Sequence, residues 1–219
     1  MPDTKLNKQN FRDHLRKYGA VYVVLCIVAG VLTNLFWTMT TPILPHEQRI
    51  LIYLADTYSD ITPLEPLREA LLERAQSVDP EIQDVDFESL IYSPEDYTGP
   101  MVLMARLTAG EGDLFLAGAD AMAALVESGA CLNLEPHRQD GWLDELEPVY
   151  VDLADPETGA ISRIMAGLKL DELNALLDLR VMQNSGACMA LMVNSPNIEP
   201  TKAVAEALVD MLKEASPHA

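Results

Sequence analysis

Residues 19–37 form an unbroken stretch of 19 residues without a charged side chain. At about 1.5 Å per residue, an α-helix of this length spans roughly 28 Å, which matches the hydrocarbon core of a bilayer. Aromatic side chains, which favour the two membrane interfaces, lie toward both ends of the stretch: Tyr18, Tyr22, Phe36 and Trp37. The stretch therefore predicts a transmembrane helix, over residues 19–39.

Two other interpretations of the stretch are weaker. A buried core helix is seldom this long and uncharged, with a basic segment before it. A cleaved signal peptide has an apolar region of about 7 to 15 residues, followed by a small-residue cleavage site. Thr38-Met39-Thr40 is a poor site of that kind. We therefore expect an uncleaved, single-pass anchor.

The charges before the stretch predict its orientation. The tail, residues 1–18, has more basic than acidic side chains: Lys5, Lys8, Arg12, Arg16 and Lys17 against Asp3 and Asp13. Basic residues accumulate on the cytoplasmic side of membrane helices. We therefore expect a cytoplasmic tail, a linker over residues 40–48 and an extracytoplasmic domain over residues 49–219 in the cell membrane.

The expected outer domain is strongly acidic. Without the tail's five basic and two acidic residues, 10 basic and 32 acidic side chains remain, a net charge of about −22. This balance disfavours nucleic acid as a partner, because binding to phosphates requires clustered Lys and Arg. Such acidity is typical of a soluble, self-repelling surface, and an attraction for cationic ligands or metal ions is the alternative.

The outer domain alternates between apolar strand-like runs and helical periodicity. The runs cover residues 49–56, 82–92, 113–117 and 188–193, and each precedes a segment with helical spacing of apolar residues. Parallel strands need helical crossovers, and strands buried on both faces read as apolar runs. The pattern predicts an α/β fold, with one doubly wound, mostly parallel sheet after the transmembrane helix.

Capping residues predict where some of these helices begin and end. Thr62, Pro63 and Glu65 have the spacing of an N-cap, a first-turn proline and a capping box. Asp120 is a good N-cap for a later helix. Gly110 is a suitable left-handed residue after the helix that carries Met101 and Met104.

Residues 109–134, AGEGDLFLAGADAMAALVESGACLNL, resemble a recurring passage in the extracytoplasmic solute-binding proteins of bacterial ABC importers. The late CMALMVNS run and its following helix resemble the return of the chain to the first lobe of those proteins. In that family a whole second lobe is built between these two passages. Only 53 residues, 135–187, lie between them here, so we expect one lobe with a small insertion.

The resemblance implies a binding role. Those receptors hold a solute in a cleft between two lobes that close by a hinge. A single lobe on an anchor is expected to be a binding or assembly module, beside a multi-span membrane partner. The alternative is a functional solute receptor for an ABC importer or a sensor.

The fold class also predicts where a ligand would bind. In open α/β sheets ligands lie beyond the carboxyl ends of the strands, and seven residues follow or end those strands here: Asp56, Thr57, Tyr58, Tyr92, Ser93, Gly118 and Asp120. Acidic side chains there would accept hydrogen bonds, the tyrosines would stack on a ligand, and the helix N-terminus after Gly118 would face an anion. Alternatively, Asp120 only caps its helix and the tyrosines are ordinary surface aromatics.

Other chemistry is poorly represented in the sequence. The outer histidines are His46, His137 and His218, and there is no Gly-x-Ser-x-Gly nucleophile motif, so we expect no enzyme and no cofactor. The acidic residues near Trp142 and Gly159 do not follow the spacing of a calcium-binding EF-hand loop: Asp140, Asp144, Glu145, Glu147, Asp152, Asp155 and Glu157. We therefore expect no metal site.

Sulfur-containing residues are expected to fill the core. Met101 with Met104, and Met189 with Met192, occupy positions typical of core residues. Cys131 and Cys188 lie in apolar contexts that favour free thiols, although a disulfide is permitted outside the cell. In the membrane helix we expect a partner helix to contact three residues that permit close packing or hydrogen bonding: Ala29, Gly30 and Asn34.

Overall fold

The computed structural model describes residues 8–40, 44–138, 141–154, 161–170, 175–183 and 186–215. The chain divides into two units, Met1–Ile43 and Leu44–Ala219. Three acidic residues considered for calcium, Asp140, Asp155 and Glu157, lie outside the described residues, and so does His218.

The first unit contains one long helix, α1, over Lys8–Thr40. Its segment Lys17–Phe36 is long and apolar enough to cross a membrane, and none of it is buried within the structure. By length and composition the helix suits either a single-pass anchor or a signal sequence. It begins earlier than the predicted span of residues 19–39 and includes part of the predicted tail.

The second unit is built on a six-stranded sheet with the order β2-β1-β3-β6-β5-β4. The strands are β1 Arg49–Asp56, β2 Asp84–Ile91, β3 Leu114–Ala117, β4 Pro148–Ala154, β5 Ile161–Lys169 and β6 Cys188–Leu191. β1 pairs in parallel with β2 and β3, whereas the β3–β6, β6–β5 and β5–β4 pairs are antiparallel. Four of the six strands therefore run in one direction, and the sheet is mixed.

Helices surround the sheet. They are α2 Arg68–Val78, α3 Thr98–Thr108, α4 Ala119–Glu127, α5 Glu135–Arg138, α6 Ala175–Asp178 and α7 Ile198–Ala215. Short 3-10 helices cover His46–Gln48 and Glu65–Leu67.

The central strand β1 is buried on both faces, which explains its continuous apolar sequence. Ile50, Ile52 and Leu54 pack with α2 and α7 in one core. Alternate residues of the strand point to the opposite face, where Tyr53 and its neighbours pack with α3 and α4 in a second core. The predicted α/β layer with helices on both faces is confirmed for this part of the sheet.

The insertion between residues 135 and 187 enlarges the same sheet. β4 and β5 form an antiparallel pair, and β5 continues the sheet beside β6. β6 in turn pairs with β3, and α7 packs against α2. The described part of this insertion therefore extends the first sheet and forms no second lobe.

Two predicted helix starts are wrong. The N–H of Thr62 donates to the side chain of Asp60, 2.9 Å away, so the chain makes a turn there, and α2 begins only at Arg68. Asp120 is not an N-cap, because extended Gly118 precedes α4 and its carbonyl accepts the hydrogen bond from the N–H of Met122. The predicted left-handed Gly110 is confirmed, with φ +70°.

The expectation for the sulfur-containing residues is half right. Met189 and Met192 are buried, whereas Met101 and Met104 are 55% and 48% exposed. The buried side of α3 instead carries Gly99 and Leu103, which are four residues apart and so share one helix face. Spacing alone selected the wrong face of this helix.

Cys131 and Cys188 are both buried, and no disulfide joins them in the structure. The backbone of Cys131 lies opposite that of Met192 in an isolated antiparallel β-bridge, and Met192 is four residues from Cys188. Along an extended strand, this separation is about 13 Å, well beyond the Cα separation of a disulfide. The alternative of a bridge between them is therefore excluded.

Candidate functional site

The carboxyl ends of β1, β2 and β3 meet at one edge of the sheet, as the parallel arrangement requires. The N–H of Tyr92 donates to the carbonyl of Asp56 at 2.8 Å, and the N–H of Gly118 donates to the carbonyl of Ala55 at 2.9 Å. The structure thus brings the three predicted strand ends together. We call this edge, with the seven predicted residues, the strand-end site.

Asp56 lies at the centre of the strand-end site but has little free acceptor capacity. It is only 2% exposed, and its Oδ1 accepts a hydrogen bond from the N–H of Thr57 at 2.7 Å. Its Oδ2 accepts one from the N–H of Gln183 at 2.9 Å. The carboxylate therefore fastens the segment after α6 to the end of β1, a role that sequence reasoning missed.

A pocket of about 430 Å³ opens beside Tyr58. Tyr58 is exposed, and the other lining residues follow or belong to α6: Leu177, Arg180, Met182 and Gln183. These four were not expected at the site. They reach it because the N–H of Asp60 donates to the carbonyl of Val181 at 2.9 Å, a contact that leaves no pattern in the local sequence.

Tyr92 is buried and packs in the second core. Burial raises the pKa of its hydroxyl, and the negative charges of Asp120 and Glu127 raise this pKa further. Asp120 is exposed in the first turn of α4, whereas Ser93 is half-buried and accepts a hydrogen bond through its carbonyl from the N–H of Asp96. Tyr92 therefore lies beneath the edge, and Thr57, Tyr58 and Asp120 form its exposed surface.

A second, more apolar groove of about 510 Å³ lies between α4 and the β4–β5 pair. Met122 and Val126 line it from the helix, and Val149, Val151 and Cys188 line it from the sheet. Glu127 and Lys169 supply charges among its lining residues.

A buried polar cluster lies near the beginning of β1. Ser195 Oγ donates to Asp113 Oδ1 at 2.5 Å, and His46 Nε2 lies 3.3 Å from Asp113 Oδ2. The N–H of Leu51 also donates to Asp113 Oδ2, at 2.8 Å. In a catalytic triad the histidine lies between the serine and the carboxylate, whereas here the carboxylate lies in the middle.

This cluster therefore has a structural role. Asn197 Nδ2 donates to the carbonyls of His46 and Arg49, each at 2.9 Å. The start of α7 is thereby joined to the segment that leads into β1. Sequence reasoning missed the cluster because its members are far apart along the chain.

The three residues expected to contact a membrane partner lie on α1. Thr33 Oγ1 donates to the carbonyl of Ala29 at 2.8 Å, one helical turn earlier. A side chain added at Gly30 would meet nothing within 4 Å. Gly30 and Asn34 are four residues apart and so share a helix face, whereas Ala29 lies beside that face.

Within the described residues, no group of three or more His, Cys, Asp or Glu side chains is arranged to hold a metal ion. In the comparisons with known proteins, no family model matches the chain and no curated protein is significantly similar to it.

Proposed function

We propose that this chain is a single-pass membrane protein whose extracytoplasmic domain is a binding or assembly module. In this proposal the domain resembles one lobe of a solute-binding protein and acts beside a multi-span membrane partner. The observation that carries the proposal is the insertion, whose described strands β4 and β5 join the first sheet and form no second lobe opposite the strand-end site.

The order of the elements supports the resemblance. Three strands and their helices follow one another from β1 to α4, and β6 and α7 then return to the same layer. This order is the one that the sequence resemblance implies for a first lobe. The short insertion replaces the second lobe that the family would build at that point.

The open strand-end site favours a protein partner. Small-molecule sites usually bury about 70–90% of the ligand surface. Tyr58 and Asp120 are both exposed to solvent here, so a small ligand between them would stay largely uncovered. A partner surface placed over this edge would cover the side that the second lobe covers in solute-binding proteins. In the proposal the partner spans the membrane, so that α1 holds the domain next to it.

The membrane helix supports this assignment. Ala29 and Gly30 permit close approach of a second helix, and Asn34 offers a polar group to it. The basic tail favours a cytoplasmic N-terminus. Replacing residues 19–37 by an unrelated apolar helix tests the contact, because unchanged association with the partner would reduce α1 to a plain tether.

A photo-crosslinking experiment in native membranes tests the proposed function. A benzophenone amino acid at Tyr58 is expected to capture a protein that has several membrane spans. The matched control is Val78, which is similarly exposed but lies at the end of α2. Capture of the same protein from both positions, or of no membrane protein from Tyr58, would contradict the proposal.

The second candidate is a functional solute receptor, favoured by the pocket beside Tyr58. Its volume of about 430 Å³ lies within the range of sites for small ligands. A ligand that binds only the native state raises the melting temperature. A thermal-shift screen of sugars, peptides, amino acids and metal ions without any rise would reject this candidate, and micromolar binding in calorimetry would favour it over the module.

A further inference from the structure

Tyr53 is buried in the middle of β1, away from the strand-end site. Its ring stacks on Phe115 with centroids 5.0 Å apart, and the guanidinium of Arg106 lies 6.0 Å from the ring centroid. A side chain added at Gly112 would approach the Tyr53 ring to 2.8 Å. The ring is thus enclosed by its neighbours, and the side chain is only 1% exposed.

The Tyr53 hydroxyl is buried and forms no hydrogen bond of ordinary geometry among the described residues, although the Glu88 carboxylate is near enough to interact with it. Burial of a hydroxyl without a well-formed hydrogen bond is unfavourable, so a ligand that completes the bond would be stabilised there. Tyr53 lies opposite Glu88 of β2 in the sheet register, so both side chains point to the same face. Burial raises the pKa of Tyr53, and the negative charge of Glu88 raises it further, so the hydroxyl stays neutral and its oxygen can accept a hydrogen bond while its O–H donates one.

Tyr53 and Glu88 line a cavity of about 350 Å³ between β2 and the first turns of α3. α3 lies close to the end of β2 there, and Gly99 permits this approach: an added Cβ at Gly99 would lie only 2.9 Å from the Ile91 carbonyl oxygen. Leu90 and Val102 supply apolar walls, and Asp96 supplies a second carboxylate. The cavity is therefore lined by apolar side chains on one part of its surface and by a hydroxyl and two carboxylates on another.

The charges around the cavity select the class of ligand. Its one basic lining residue, Arg106, forms ion pairs with Glu111 and with Glu88, the latter at 3.7 Å. An anion would therefore meet carboxylates and a guanidinium that is already paired. A cation is favoured, and the acidic surface of the domain raises the local concentration of cations.

We infer that this cavity binds a protonated alkyl amine, with its ammonium group between the Glu88 carboxylate and the Tyr53 hydroxyl, and its methylene groups along Leu90 and Val102. The ammonium donates to the Glu88 carboxylate and to the hydroxyl oxygen of Tyr53, and the O–H of Tyr53 donates to the same carboxylate. The amine is either a free small molecule or the lysine side chain of a protein. This inference does not depend on the resemblance to solute-binding proteins.

The test uses the full chain in detergent micelles and follows the NMR signals of Leu90 and Val102 during titration with n-butylammonium. We expect saturable shifts that n-butanol and n-butyrate do not produce. Tyr53→Phe keeps the ring packing and is expected to weaken binding about three- to tenfold, as for one lost hydrogen bond. Glu88→Gln is expected to weaken it about tenfold or more, because the lost bond is to a charged group.

Glu95→Gln is the matched control, since Glu95 is an exposed carboxylate nearby that does not line the cavity. We expect it to bind n-butylammonium like the original chain. Equal binding by Tyr53→Phe and the original chain, equal shifts with n-butanol, or no saturable shift at all would overturn the inference. The crosslinking from Tyr58 is unaffected by these outcomes, so the two proposals fail separately.

A second titration with Nα-acetyl-lysine amide distinguishes the sources of the amine. Binding as tight as that of n-butylammonium would assign the cavity to lysine side chains. Weaker binding would assign it to free alkyl amines, because the peptide-like group is then excluded from the entrance.

Discussion

Replacing Gly112 by alanine should strongly destabilise the α/β domain, Leu44–Ala219. Gly112 has φ +96°, and an added Cβ would lie 2.8 Å from both the Tyr53 and Phe115 rings. A left-handed backbone costs a residue with a Cβ about 1–2 kcal/mol, and overpacking a filled core costs about 1–3 kcal/mol more. Both rings are fully buried, so we expect a loss of about 3 kcal/mol in the free energy of unfolding.

Gly110→Ala separates the two contributions. Gly110 also has a positive φ, of +70°, but an added Cβ would meet nothing within 4 Å. We expect it to lose only the backbone contribution of about 1 kcal/mol.

Urea denaturation of the full chain in micelles provides the assay. Trp142 is buried in the domain core and reports its unfolding by fluorescence, in a Trp37→Phe background that removes the other tryptophan. Equal losses of stability in the two glycine variants would refute the packing that we assign to Tyr53 and Phe115.

Three further predictions concern the buried groups. Asp113→Ala leaves a buried backbone N–H and the Ser195 hydroxyl without their acceptor, so it should cost about 2–4 kcal/mol of unfolding free energy in the same urea assay. Burial raises the pKa of Cys131 to about 12, so iodoacetamide at about pH 8 should modify this thiol only after unfolding, as peptide mass spectrometry can show. Because the folded state favours the neutral thiol, its contribution to stability is present below the ordinary cysteine pKa and is lost as the pH rises toward 12. Met189→Ala should cost about 2–5 kcal/mol, and Met101→Ala less than about 0.5 kcal/mol.

Each of these predictions has a contrary result. Native-like stability of Asp113→Ala would mean that the cluster around His46 does not hold the start of β1. Rapid alkylation of Cys131 in the folded chain would place this thiol at the surface. Comparable losses of unfolding free energy in Met189→Ala and Met101→Ala would mean that Met101 is buried, as the sequence predicted for α3.

The central strands were predictable because strands that are buried on both faces consist almost entirely of apolar residues. The run RILIYLAD coincides with β1, and CMAL begins the predicted late strand and forms β6. A strand covered on both faces has no exposed positions, so its sequence is continuously apolar. The rule that ligands lie beyond strand ends then predicted which residues would meet near Asp56.

The strands of the insertion, β4 and β5, were less predictable because they lie toward one edge of the sheet and are partly exposed. The strand β5 was not expected, since its first three residues face solvent. The pairing of β5 with β6 depends on contacts between distant parts of the chain. For the same reason, Gln183 and Arg180 were absent from the predicted site.

The topology of the full chain in intact cells tests the central claim most directly. A membrane-impermeant maleimide would be applied to variants with one added cysteine, Ile161→Cys at the start of β5 or Lys8→Cys at the start of α1, with the parent chain as control. Ile161 is 74% exposed, so its cysteine should be labelled without lysis, whereas Lys8→Cys should be labelled only after lysis. Labelling of Lys8→Cys in intact cells, or a shortened outer domain released from the membrane, would contradict an uncleaved anchor with an extracytoplasmic domain.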